Sequence, residues 1–156
     1  MRKSIFTLIL STTLLLMSCG GDQAPKKTIK ATGPAKTEVK KEASNPMDDK
    51  GIGPVKSVEL AAEIDQTMVA EGKKLFKGKC SACHKVSKRF IGPAMKGVLK
   101  RRSPEWTMNM ILNPDEMVKK NPIAKQLLME YSAPMANQSL TEKEARNILE
   151  FFRTLN

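Results

Sequence analysis

Histidine occurs once in this 156-residue chain, as His84, so a metal centre that needs two imidazoles cannot be built within one molecule. Aromatic residues are scarce as well, at 4% against 40% hydrophobic residues overall. A domain of ~100 residues made from this material has a thin core. A bound group that recognises only the folded chain would add its binding energy to that core. No apolar run is long enough to cross a bilayer as a helix: the longest, Ile5 to Leu16, falls well short of the ~20 residues required. No stretch alternates with period two and no segment repeats, which excludes sheet and solenoid architectures. The length admits one ordinary domain.

The short apolar run does have a use. Arg2 and Lys3 precede it and Leu16-Met17-Ser18-Cys19 closes it, an export signal whose end resembles the bacterial lipobox, with Cys19 as the acylated mature N-terminus. Removal of residues 1–18 leaves 25 basic and 16 acidic residues, a formal charge of +9, against +11 for the whole chain. From Gly20 to about Gly53 the sequence is Lys, Thr, Ala, Pro, Gly and Glu with almost no large apolar residues, the composition of a flexible tether with a reach of roughly 30–35 Å. The expected organisation is a lipoprotein signal peptide over 1–18, a lipidated tether over 19–56 and one domain over 57–156.

Helical periodicity begins near Leu60, where Ala61, Ile64, Met68, Gly72 and Leu75 recur at spacings of three and four. Ser103-Pro104 and Asn121-Pro122 are helix starts, a cap followed by a first-turn proline, and Asn113-Pro114 ends the helix between them. Ala124, Leu127, Leu128 and Tyr131 form the next stripe. Thr141 to Glu144 is a capping box opening a last helix through Ile148, Leu149 and Phe152. The class is all-α.

Cys80-Ser81-Ala82-Cys83-His84 is the Cys-X-X-Cys-His pattern of covalent haem attachment. Its two-residue gap lets both sulfurs reach the two vinyl groups of one haem, and the imidazole next in sequence turns beneath the ring to ligate the iron. A zinc site would want a fourth ligand of the Cys or His kind, and none is left. A dithiol redox pair would expect a βαβ setting, which the sequence lacks. The axial position opposite His84 is open to methionine, since no second histidine exists. Six methionines lie beyond the motif: Met95, Met108, Met110, Met117, Met129 and Met135.

With these residues the chain resembles the small single-haem class I cytochromes c over roughly residues 68–155. Gly72 to Phe76 is similar to that family's first helix, Ile91 to Val98 to the loop whose proline carbonyl, here of Pro93, accepts a hydrogen bond from the proximal imidazole, and Phe151 to an aromatic of the final helix. The resemblance implies a class I cytochrome c fold, one haem c held by Cys80, Cys83 and His84, and Met135 as the second iron ligand. Met135 lies in a loop fixed by Pro134 just ahead of the last helix. Met95 is the rival, at a position where the family more often packs a leucine.

The expected molecule is a lipid-anchored carrier, exported and facing the periplasm or the cell exterior, that passes one electron at a time from a respiratory donor complex to an oxidase or a nitrogen-oxide reductase. It is expected to be a monomer, not an enzyme, and to bind no nucleic acid. The other reading is a haem-based gas-binding or sensor protein with an open sixth site, for which no output domain is visible. Lys73, Lys74, Lys77, Lys79, Lys85, Lys88 and Arg89 crowd the haem segment, either as a docking face for acidic partners or as a solvated surface. Arg101, Arg102 and Trp106 carry donors suited to haem propionates, although a core position suits Trp106 better.

Overall fold

The structure, a computed structural model, describes residues 45–156. The signal segment, Cys19 and the tether up to residue 44 lie outside the described residues. Five α-helices and no strand occur among the described residues, in agreement with the all-α expectation.

Helix α1 (Gln66–Leu75) starts at Asp65, whose carboxylate accepts the N–H of Met68 at 3.0 Å. The periodicity near Leu60 lies ahead of it and is not helical. There the backbone is committed elsewhere: Arg153 donates to the carbonyls of Ala61 and Glu63, and the Asp65 N–H donates to Glu150. A π-helical turn (Phe76–Cys80) extends α1 into the cysteine motif. Such widened turns recur at functional sites because they re-aim the residues beyond them.

Three helices then begin with proline at the first turn. Helix α2 (Pro104–Leu112) is capped by Ser103, which accepts the Trp106 N–H at 3.0 Å, and α4 (Pro122–Tyr131) by Asn121, which accepts the Ala124 N–H at 3.0 Å. Between them lies α3 (Pro114–Lys120), which the sequence pattern does not announce. Asn113-Pro114 does end α2, as expected. The same proline, lacking an N–H, then serves as the first residue of a new helix. Helix α4 stops at Ser132, in the left-handed region at φ 52°. The capping box of Thr141 and Glu144 opens α5 (Glu142–Arg153) as expected.

Helices α1 and α5 cross at Gly72, where a Cβ would collide with the Asn147 carbonyl oxygen. Phe76 packs against Phe151 and Phe152 with ring centroids 5.6 and 5.8 Å apart. That crossing anchors the larger apolar cluster, with Ile148, Leu149, Met95, Met108 and Ile111. A smaller cluster joins Trp106, Met117 and Ala124 of α2, α3 and α4.

Residues 49–56, placed by sequence in the tether, pack against α2 as an extended strap. Val55 is 7% exposed, and Ile52 lies on the Trp106 cluster. The buried Asn109 side chain accepts the Val55 N–H at 3.0 Å and donates to the carbonyls of Lys50 and Val55. Glycine at 53 is required, since a Cβ there would collide with Asn109 Oδ1.

Candidate haem site

The π turn carries Cys80 to the inner surface, and the Cys83 and His84 N–H groups both donate to the Cys80 carbonyl, at 3.1 and 2.9 Å. This tight turn places both cysteines and the imidazole on the wall of one cavity of about 220 Å³. His84 Nδ1 lies 3.1 Å from the Pro93 carbonyl oxygen, the partner expected from the sequence. A carbonyl can only accept, so Nδ1 carries the proton and Nε2 keeps its lone pair for a metal. Gly92 lets the backbone press on the ring: a Cβ there would meet His84 Cε1 at 2.5 Å.

The rest of the wall comes from both apolar clusters, including Phe152, Met95, Trp106 and Leu127. Met135, half-buried in the loop between α4 and α5, lines the same cavity as His84. Met95 lines it too and is 7% exposed, packed in the larger cluster. Met110 is a third methionine on the wall, on α2. Of the other three candidates, Met108 and Met117 are buried and Met129 is 75% exposed on α4; none lines the cavity.

The site suits a covalently attached haem better than the alternatives. Among the described residues no group of three or more His, Cys, Asp and Glu is placed to hold a metal ion by itself. Burial, then the neighbouring Cys83, push the Cys80 thiol up to about 11, the reverse of the lowered value that a reactive dithiol needs. Both cysteines are free and on the wall of a largely apolar cavity. Arg102 also lines the cavity, and its Nε is the one buried side-chain polar atom without a hydrogen-bond partner among the described residues. That orphan is what a site for a group with carboxylates leaves.

Trp106 is 4% exposed and gives its indole N–H to Asn121 Oδ1 at 3.2 Å, which bears out a core role. Arg101 donates to the carbonyls of Lys96 and Ala94, tying down the loop that holds Pro93. The basic residues differ among themselves. Lys73, Lys74, Lys77, Lys79 and Lys88 are exposed, while Lys85 bonds the Ser81 carbonyl and lies over the Phe90 ring. Arg89 pairs with Glu130 and stacks on Tyr131, so it clasps the motif loop to α4. Sequence reasoning finds Asn121 as a helix cap but not its bonds to Trp106 and Asp49, and it does not find Asn109, a buried amide behind this wall, because a single asparagine within a helix carries no pattern.

Comparison with known proteins finds the Cytochrome c family over residues 69–156. Among solved structures, a cytochrome c from Rhodothermus marinus is 46% identical, with 66% of this chain and 89% of that one covered and a TM-score of 0.65. An engineered cytochrome c from the same organism is 45% identical, covering 66% and 90%, with a TM-score of 0.64. A further engineered form, bound to a carbene intermediate, is 46% identical with a TM-score of 0.62 over 66% and 89% of the two chains. No curated protein matches significantly.

Proposed function

Since the chain belongs to the cytochrome c family, as a haem electron-transfer protein of the class I kind, we propose that it is a membrane-anchored carrier passing single electrons between respiratory partners. The observation that carries this reading is one cavity wall bearing Cys80, Cys83, His84 and Met135. Bound haem c supplies a one-electron ferric–ferrous couple.

The residues do the rest. Cys80 and Cys83 would hold the haem by two thioethers, which would prevent its loss outside the cytoplasm. His84, oriented by the Pro93 carbonyl and the Gly92 backbone, would ligate through Nε2. Met135 would supply a thioether as the second ligand, giving a Met/His pair that would raise the reduction potential. The apolar wall excludes water. Two protein ligands to the iron would suit electron transfer, the role of a carrier and not of an enzyme.

Cys19 provides the lipid anchor, and the exposed lysines near the motif steer acidic partners, namely a donor complex and a terminal oxidase or nitrogen-oxide reductase. The protein works as a monomer at the periplasmic or outer face of a bacterial membrane.

Optical spectra of the ferric and ferrous protein beside Met135→Ala, with and without carbon monoxide, test the reading. The expected wild type is low-spin with a methionine-to-iron charge-transfer band, which the variant loses as it gains carbon monoxide binding. A wild type that is high-spin or binds carbon monoxide readily would reject Met135 and favour a gas-binding protein.

A further inference from the structure

Arg102, with its orphaned Nε, is linked to a residue far outside the span matched by the family, Asp49 of the strap. Asp49 is held on three sides: its carbonyl accepts from Ser103 Oγ at 2.6 Å, Oδ2 from Asn121 Nδ2 at 2.7 Å and Oδ1 from the Gly51 N–H at 2.8 Å. Asn121 Oδ1 in turn accepts the Trp106 indole N–H, and the Arg102 guanidinium lies over that indole, 5.3 Å from its centroid. A continuous run of contacts thus leads from Asp49 through Asn121 and Trp106 to Arg102, and the last two line the haem cavity. Charge acts alongside the contacts. Burial, then Arg101, push the Arg102 guanidinium below its ordinary value, and the Asp49 carboxylate works against them. Arginine stays protonated throughout.

We infer that the strap belongs to the electrostatic setting of the haem: Arg102 is a cation of the cavity wall, beside Arg101 and Lys79, Asp49 positions and partly offsets it, and seating of the strap therefore shifts the reduction potential. The inference rests on haem c occupying this cavity. A nearby cation favours the ferrous state, which carries one positive charge fewer, and an anion favours the ferric state. A seated strap accordingly holds the potential down, and a released one lets it rise.

Potentiometric titration of the full-length holoprotein tests this with Asp49→Asn, Arg102→Gln and the double variant. The optical spectrum of each first establishes attached, low-spin haem, so a failure of the haem reading is seen separately. At a fixed poise, Asp49→Asn is expected to raise the ferrous-to-ferric ratio roughly twofold and Arg102→Gln to lower it. The effect of Asp49→Asn should shrink to less than half once Arg102 is glutamine. Gly53→Ala unseats the strap with every charge retained, as tryptic cleavage after Lys50 or Lys56 would report, and should move the ratio the same way as Asp49→Asn. A wild-type ratio in Asp49→Asn overturns the inference. So does a full-sized shift in the absence of Arg102, or an unseated strap with an unchanged potential.

Discussion

Glu150 is 1% exposed, yet it is ionised. Burial alone would push its carboxyl up. The bond from Arg146, the Asp65 N–H and the charges of Arg146 and Arg153 outweigh burial and hold it below its ordinary value. A group whose folded value is lowered stabilises the fold above its unfolded value of ~4.3, and that contribution is lost as the pH falls through the folded value. Glu150→Gln is therefore expected to cost on the order of 3 kcal/mol near pH 7, because it leaves two arginines facing a neutral side chain. The gap between variant and wild type should close as the pH is lowered past the unfolded value and through the lower folded one. Denaturant unfolding of the holoprotein at several pH values measures it, and a gap constant with pH would contradict this account.

Gly72 sets the geometry of the α1–α5 pair. Alanine in an exposed helix is normally more favourable than glycine, by ~0.5–1 kcal/mol. Here its Cβ would press on the backbone of Asn147 and Ile148, which cannot swing aside as a side chain would. Gly72→Ala should thus destabilise by about 1–3 kcal/mol, on the order of 10 °C in Tm. Gly78→Ala, with nothing within 4 Å of its added Cβ, should leave Tm unchanged or slightly raised. Equal effects at the two positions would dismiss the close crossing as the cause. Helix α5 and the starts of α2 and α4 are legible in the sequence because a cap and its first turn are local. The start of α1 is not, because the carbonyls of Ala61 and Glu63 bind Arg153, some ninety positions away. Helix α3 escapes notice because Asn113-Pro114 reads equally as a stop. The attachment motif needs only adjacent residues, whereas the bonds of Asn109 to Lys50 and of Asn121 to Asp49 form only once the strap has folded onto α2 and α4.

At the scale of the whole molecule the chain is strongly basic, with 27 basic against 16 acidic residues. Five exposed lysines flank the haem attachment turn, and Phe90 and Ile91 beside them are 52% and 47% exposed. A positive field around an apolar spot raises the encounter rate with an acidic partner and is screened over ~8–10 Å at physiological ionic strength. Electron transfer to an acidic redox protein, followed by stopped flow, should slow by about tenfold or more between low and high salt, and exchange of Lys77 and Lys79 for glutamine should flatten that dependence. A rate indifferent to salt would reduce these lysines to a solvated surface. The strap has a mechanical consequence as well. Tension on the chain upstream of Asp49 arrives at the grip of Asn109 and of the helix caps Ser103 and Asn121 before it reaches α1. The strap peels first, like a fuse, ahead of α1 and the attachment turn that follows it in the chain.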